Sequence, residues 1–399
     1  MLYILYQAGR HLKDNYKITS KAGIVAIIVY TLNEGLRFGR GVDYNMGGRG
    51  YEKYATFGGD YNNHVGFEYL VKLFVELNIP WQGCVLFMSC MFIIGLLFFL
   101  KQYREVVSYA LPIFVLVSSV TVENLFKWYL AFSFFMIGLY YQIEKERGVC
   151  AKYIIFSCLS CLFHTAFIPV PFIFYLLSKI QKPLLHPFIS IALFFSIVFL
   201  FQTSFMLNFV ELFNTMAMLS DRLSAYSDSA ESYLTEGFQG RETSAMPGIS
   251  ELSFLLYVIT IGYKCVVLKG QRYVFVYNLF LLGFLLRPIT NQIPLFGRYD
   301  NVLFFFRAIV FACIIQVIYI EKQIRIRPIL SVLSFLIIGL WITAFIRRPF
   351  NGNPKKYLYV WNRGKISYDE MISTYSDDAN KKSDKLKKTK RQGTVNLFE

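Results

Sequence analysis

Charged residues are scarce in this sequence: they occupy 17% of its 399 positions, whereas soluble chains carry roughly a quarter. Hydrophobic residues make up 55%, phenylalanine occurs 40 times, and the mean hydropathy is +0.43. A soluble core cannot hide so much phenylalanine, because the protein surface must be covered by polar groups. The composition excludes a disordered chain, a disulfide-rich secreted domain and most soluble enzymes, and leaves a multi-spanning membrane protein.

Several catalytic motifs are also absent. The sequence has no Walker loop, no DxD aspartate pair, no H-E-x-x-H and no nucleophile elbow. Their absence argues against a nucleotide-driven pump and a metal-dependent nucleotide-sugar transferase, so we expect neither a cofactor nor a metal. The seven cysteines lie in or beside apolar segments, and the C-x-x-C of Cys158 and Cys161 has no second pair, which favours packing over metal or redox chemistry.

Positive charge is in excess, with a formal net charge of +15. The basic residues stand in short clusters beside apolar runs, as loop charges that set membrane orientation do, so we expect no nucleic-acid partner. The densest cluster is residues 381–391. We therefore expect one transmembrane domain, residues 1–346, and a polar basic C-terminal tail, residues 347–399, that is solvated, contacts lipid headgroups or binds a partner.

Apolar runs suited to membrane helices recur along the chain. They predict an all-α fold, a polytopic integral membrane helix bundle of about 10–12 transmembrane segments. The candidate segments are residues 22–36, 82–100, 106–122, 125–142, 152–178, 187–212, 250–268, 272–290, 300–320 and 328–346. Two long polar loops, 37–80 and 213–249, interrupt them and are natural places for function. Residues 1–7 are apolar but too short for a cleavable signal peptide, which we do not expect.

Lysine and arginine counts in the short loops indicate which side of the membrane each loop faces. The basic N-terminal region is placed in the cytoplasm, so both long loops lie outside. If segment 152–178 crosses the membrane once, the basic loops that follow it lie outside, against this rule. If the segment enters the membrane and returns to the same side, those loops lie inside. Because it is too short for two full spans and contains Pro169 and Pro171, we predict a short-helix or re-entrant hairpin with His164 near its apex. The same count places the tail outside, while its lysines favour the inside.

The first outer loop supplies one group of candidate site residues. Residues 37–44 combine Arg37, two glycines, Asp43 and Tyr44 just past a short helix. Arginine presents a planar fork of donors suited to phosphate, and glycine lets backbone approach an anion closely. An anion site and an interfacial Arg–Asp pair that shapes the loop both fit this pattern. Glu68 falls on a predicted amphipathic surface helix, either as a solvated charge or as part of the site.

Ionisable residues near or within the spans form a second group. Lys127, at the outer start of a span, either extends toward lipid headgroups or binds an anion. His164 is either a hydrogen-bonded core histidine or a functional residue at membrane depth. Arg287 and Arg298 flank a short outer loop and need anionic partners, which Asp300 or a phosphate-bearing ligand can supply.

In their order and spacing these residues resemble the EpsG family, relatives of the Wzy-type polysaccharide polymerases of bacterial capsule and exopolysaccharide pathways. The resemblance covers about residues 30–320. At Lys127 and Trp128 the chain departs from the family pattern, which has Arg and Gln there. The second outer loop otherwise looks like a plain loop. The matching positions are Arg37, Gly41, Asp43, Tyr44, Glu68, Asn124, Ala131, His164, Arg222, Tyr226, Arg298 and Tyr299.

The resemblance implies a membrane glycosyltransferase that polymerises undecaprenyl-pyrophosphate-linked oligosaccharide units at the outer face of the bacterial cytoplasmic membrane. The pyrophosphate leaving group would supply the energy, which agrees with the absence of nucleotide motifs. The expected partners are this lipid-linked substrate, the lipid bilayer, and a chain-length regulator and a flippase of the same pathway. Two rival hypotheses are a transporter or flippase of an anionic lipid-linked oligosaccharide, and a membrane acyltransferase.

The same resemblance implies roles for the candidate residues. An imidazole exchanges a proton near neutral pH, so His164 is the first choice for the base that activates the acceptor hydroxyl. Asp43 and Glu68 are the alternative bases. The substrate-binding residues would be Arg37, Arg298, Arg287, Lys127, Tyr44 and Arg222.

Overall fold

The computed structural model describes residues 1–37, 42–58, 64–145, 148–202, 249–290, 297–324, 331–332, 334–340 and 342. Every regular element within these residues is a helix, which confirms the all-α prediction. The predicted second outer loop, except for its last residue, and the whole C-terminal tail lie outside the described residues, and so does about half of the predicted span 328–346.

Within the described ranges, most of the helices follow one another with short connections. The first ten are α1 (Leu2–Asp14), α2 (Lys21–Gly35), α3 (Val42–Phe57), α4 (Val65–Glu76), α5 (Trp81–Leu100), α6 (Val107–Asn124), α7 (Phe126–Glu144), α8 (Ala151–Phe163), α9 (Pro169–Ser178) and α10 (Pro187–Gln202). The remaining helices are α11 (Ile249–Lys269), α12 (Gln271–Thr290), α13 (Gly297–Phe305) and α14 (Arg307–Ile314). Two 3₁₀ turns, Lys101–Val106 and Thr165–Phe167, and a π-helical end, Ile315–Ile320, join or extend them.

Several of these helices have the length and composition of membrane spans. Four stretches among the described residues qualify by themselves: Trp81–Ser118, Ile249–Lys269, Gln271–Thr290 and Gly297–Ile320. The first bends at Tyr103, whose φ of −122° and ψ of 34° are not helical. Shorter apolar helices add Ala151–Phe163, Thr165–Ser178 and Pro187–Leu200. The molecule is therefore a polytopic membrane bundle, as predicted.

Contacts along the helices fix their directions. Helices α5 and α7 run parallel, because the rings of Trp81 and Phe126 at their starts lie 5.4 Å apart. Near their other ends the side-chain amide of Gln102 donates to the carbonyl of Tyr140 at 3.3 Å. Helix α2 runs opposite to α5, since its last residue, Gly35, lies against Leu86 near the start of α5.

Segment 152–178 forms the predicted hairpin. The chain leaves helical conformation at His164, which ends α8 with φ −155° and ψ 106°. Its two arms lie side by side, since the Tyr153 hydroxyl donates to the carbonyl of Pro171. At the open end the Lys179 ammonium donates to the carbonyl of Gly148 at 3.3 Å. The hairpin therefore begins and ends on the same side of the bundle, with His164 at its apex.

The bundle consequently has two different ends. One, which we call the lysine end, holds the last turns of α5, α7 and α11 and the first turn of α12. There Lys269 pairs with Glu105 at 2.9 Å and with Glu321 at 2.7 Å, and the Tyr103 hydroxyl donates to the carbonyl of Arg272. The opposite end, the site end, holds the end of α2, the starts of α5, α7 and α13, and the apex of the hairpin.

Two helices were not predicted from the sequence. In helix α1 polar and apolar residues balance each other, yet the helix buries Leu5, Ala8 and Leu12 on one face against α6. Helix α3 lies in the first long loop, where Tyr44 and Tyr51 are two turns apart and face the Trp81 ring at 6.2 Å and 5.7 Å. The predicted amphipathic helix is α4, which buries Phe67, Val71 and Phe74. The first loop is thus folded against the site end.

Candidate functional site

Arg37 lies at the end of α2 and is almost completely buried, with 1% of its surface exposed. Its guanidinium pairs with the carboxylate of Glu34, one helical turn earlier, at 3.4 Å. Gln82, at the start of α5, donates to the carbonyls of Gly35 and Arg37 and accepts a hydrogen bond from the Tyr44 hydroxyl at 2.8 Å. Gln82 therefore joins three segments around Arg37, because its amide nitrogen donates two hydrogen bonds and its amide oxygen accepts a third.

His164 lies among aromatic rings at the apex of the hairpin. The ring of His64 stacks on it, with centroids 4.3 Å apart and planes 30° apart. Trp128 meets His164 edge-on at 4.9 Å and 89°, and also meets Tyr299 at 5.6 Å. The Tyr299 hydroxyl donates to the carbonyl of Ala166, within the hairpin turn, at 2.8 Å. The imidazole thus contacts rings from two separate segments of the chain, and Tyr299 packs against one of those rings, Trp128.

Lys127 and Glu68 lie close to this ring cluster but have different surroundings. The Lys127 ammonium lies 5.1 Å above the Phe67 ring and 5.9 Å from the Phe126 ring, a cation–π arrangement. Glu68 pairs with Lys72 at 2.7 Å, one turn along α4, and both side chains are partly exposed. This ion pair favours the solvated-charge interpretation of Glu68 over a role as a base.

Arg287 belongs to a compact ionic network. It donates to Asp300 at 3.0 Å and to Glu251 at 2.7 Å, and Arg307 approaches Glu251 at 3.7 Å. Both guanidinium groups flank the ring of Phe304, at 4.5 Å and 4.7 Å from its centroid. Two cations and two carboxylates balance each other, so this geometry supports internal pairing for Arg287 over a phosphate-bearing ligand.

The other candidates are placed less completely. Arg298 lies in the first turn of α13 and is partly exposed. It makes no ion pair with any carboxylate in the part of the chain that the structure describes. Asp43 lies in the first turn of α3, and its side chain is outside what the structure describes. Arg222 also lies outside the described residues.

The structure brings most of the predicted residues to one end of the bundle. A continuous series of contacts runs from Tyr44 through Trp81 and Phe126 to Lys127 and Trp128, the latter packed against His164. Sequence reasoning missed His64, Gln82 and Glu251. Of these, only Glu251 carried a signal: it is a lone carboxylate at the start of an apolar helix, where a buried charge needs a partner.

Comparison with known proteins gives one match. No curated protein and no solved structure is similar to this chain at a significant level. A family model described as EpsG family matches residues 22–359, almost the whole chain. The match begins within α2 and includes all of the described helices after it. The chain belongs to the EpsG family.

Proposed function

We propose that this protein is a membrane glycosyltransferase that joins lipid-pyrophosphate-linked oligosaccharide units into an exopolysaccharide or capsule polymer. The observation that carries the proposal is the convergence of cationic side chains and a buried imidazole at one end of a membrane bundle of the EpsG family. A pyrophosphate-linked donor needs cations where negative charge develops, and a hydroxyl acceptor needs a base beside it.

The pyrophosphate would be bound by Arg298 and Lys127, with Arg37 contributing from the end of α2. Arg298 is partly exposed and has no carboxylate partner among the residues described, so its fork of donors is available to phosphate oxygens. Lys127 is held over two aromatic rings at the start of α7. Arg37 is buried against Glu34, where it would contribute to the local field, and the Gln82 amide links the Arg37 carbonyl to the Tyr44 hydroxyl of α3.

The transfer step requires one proton acceptor. The acceptor hydroxyl of one unit attacks the anomeric carbon of the other, and its proton passes to the imidazole of His164. The bond between that carbon and the pyrophosphate oxygen breaks, and lipid pyrophosphate leaves with the bonding electrons. Nearby cations stabilise the charge on the leaving group, an effect that is largest where water is excluded. His164 is preferred over Glu68, because Lys72 already engages that carboxylate.

We place the site end at the outer face of the cytoplasmic membrane. The lysine end carries most of the basic loop residues, and cytoplasmic loops are enriched in lysine and arginine. The substrate would enter from the outer leaflet between helices. A flippase that delivers the units and a regulator of chain length are the partners that such a reaction calls for.

Cells that carry single substitutions test the proposal. Arg298→Ala and His164→Ala should abolish polymer while lipid-linked single units accumulate on the outer face of the membrane. Arg272→Ala is the matched control, because this exposed arginine lies at the lysine end and should leave polymer unchanged. Units held on the inner face would indicate a flippase instead, and normal polymer from both site variants would refute the proposed site.

A further inference from the structure

His64 and His164 form a pair that the linear sequence does not suggest. They lie on the residue before α4 and at the apex of the hairpin, and both side chains are more than nine-tenths buried. Their rings stack at 4.3 Å with a 30° angle between the planes. The backbone amide of Thr165, directly after His164, donates to Nδ1 of His64 at 3.5 Å. His64 therefore contacts both the ring and the backbone of the apex.

The fold creates this contact through a close approach of two helices. Gly66, in the first turn of α4, packs against the last turn of α8. A Cβ atom at this position would lie 3.1 Å from the carbonyl carbon and oxygen of Leu162. Glycine at position 66 therefore lets α4 approach α8. His64, two residues before Gly66, then reaches His164, two residues after Leu162.

His64 and Trp128 restrict the His164 ring on two sides. His64 covers one face of the imidazole, while Trp128 stands perpendicular to it at 4.9 Å. Aromatic pairs in stacked and edge-on arrangements have preferred geometries and resist rotation of the rings. A side chain held in this way can present one nitrogen atom to a reactant in a fixed direction.

We propose that His64 is a positioning residue for His164: it fixes the plane of the His164 imidazole so that the ring meets the acceptor hydroxyl. This inference rests on the proposed glycosyl transfer. His64 acts through His164 and does not itself bind the pyrophosphate, which the cations hold. Its removal should therefore slow the chemical step and leave the affinity for the lipid-linked substrate unchanged.

Three variants separate the possible roles of His64. His64→Ala removes the ring. His64→Phe keeps an aromatic ring to stack on His164 but carries no nitrogen. Gly66→Val leaves both histidines intact and pushes α4 away from α8, because its side chain would collide with the Leu162 backbone. Each protein is reconstituted in lipid vesicles with pyrophosphate-linked units, and kcat and KM are measured together with the thermal midpoint.

The expected results differ for the three variants. His64→Ala and Gly66→Val should lower kcat by about 10- to 100-fold with KM changed less than about twofold, the scale of a misplaced catalytic group. His64→Phe should recover kcat to within about fivefold of wild type, because the stacked ring is restored. A role limited to stability would change the thermal midpoint and leave kcat per folded molecule unchanged.

Two outcomes would overturn the inference, and they are distinct from failure of the proposed function. The first outcome is a wild-type kcat in His64→Ala, which would show that His164 does not need the His64 ring to hold it. If His64→Ala does not fold, a wild-type kcat in Gly66→Val would show the same. The second outcome is a kcat in His64→Phe as low as that of His64→Ala. It would show that a nitrogen atom of His64 is required and would contradict positioning by ring stacking. If the wild-type protein makes no polymer, the proposed function itself fails and the inference falls with it.

Discussion

Arg287 and Arg298 lie at the same end of the bundle but meet different partners. Arg287 pairs with Asp300 and Glu251, whose side chains are 4% and 10% exposed. Arg287→Met should lower the free energy of unfolding by about 3–5 kcal/mol, because it leaves two buried carboxylates without their shared cation. Thermal unfolding in detergent measures this loss. Neutralising Glu251 and Asp300 in the same variant should recover part of it, and no recovery would contradict the charge-balance explanation.

Arg298 should give the opposite pattern. It makes no ion pair with a carboxylate within the described ranges, so Arg298→Met removes no buried partner. We expect the thermal midpoint to stay near that of the wild type while polymer synthesis is lost. Pulldown or equilibrium binding with a pyrophosphate-linked lipid should show reduced affinity. Loss of stability together with unchanged binding would instead assign Arg298 a structural role.

Individual residue types indicated much of this site, but not how the side chains pair. Arg37 and His164 could be selected from the sequence, because charged and imidazole groups near apolar spans are costly without a role or a partner. His64 could not, because the contact between His64 and His164 depends on how α4 packs against α8. Gln82 was equally hidden, since nothing in a sequence shows that its amide will join the end of α2 to α3.

At the scale of helices, the contact between α5 and α7 is made possible by one glycine. A Cβ atom on Gly95 would lie 2.5 Å from the backbone oxygen of Ser133. Gly95→Val should therefore separate the two parallel helices and lower the thermal midpoint and the yield of folded protein, as overpacking in a tight core does. Ile94→Val is a suitable control, since this partly exposed residue precedes Gly95 and the change only shortens its side chain. Equal effects of both changes would contradict this packing.

The π-helical end after α14 is fixed by an ionic cluster that should respond to pH. Partial burial alone would raise the pKa of Glu321, but hydrogen bonds from Lys269 and Gln316 outweigh it and hold the pKa below its ordinary value of 4.5. The stabilisation by Glu321 is therefore present above pH 4.5 and disappears as the pH falls through the lowered pKa.

Glu321→Gln tests this cluster. The variant should be less stable than the wild type at neutral pH, and the two proteins should converge in thermal midpoint as the pH falls below the ordinary value for a glutamate. Lys322→Ala, a change beside the cluster that removes no carboxylate, is the control. A stability difference that persists unchanged at acidic pH would show that the Glu321 charge is not its source.

Most spans could be predicted because each needs only a long apolar run. The hairpin could be predicted because its segment is too short for two full spans, contains two prolines, and is followed by basic loops that belong inside. Helices α1 and α3 escaped the same reasoning. Both helices mix polar and apolar residues, and their stability comes from packing against neighbours rather than from a membrane-length apolar stretch. Average hydropathy carries no information about such helices.

At the scale of the whole molecule, the two ends of the bundle should lie on opposite sides of the membrane. Leu77 follows α4 at the site end, and Lys152 lies in the first turn of α8 at the lysine end; both are exposed. In intact cells a membrane-impermeant thiol reagent should label Leu77→Cys, and it should label Lys152→Cys only after the membrane is disrupted. Background labelling of the native cysteines is measured on the wild type. The reverse pattern would place the site in the cytoplasm.

The central claim is that the site end catalyses glycosyl transfer between two lipid-linked units. The most direct measurement is a reconstitution of the purified protein in lipid vesicles that contain only pyrophosphate-linked oligosaccharide units, without nucleotide or added metal. The account predicts lipid-linked products longer by whole units, release of lipid pyrophosphate in equal amount, and loss of both in His164→Ala and Arg298→Ala. Movement of units across the bilayer without elongation, or elongation that is unchanged in both variants, would contradict it.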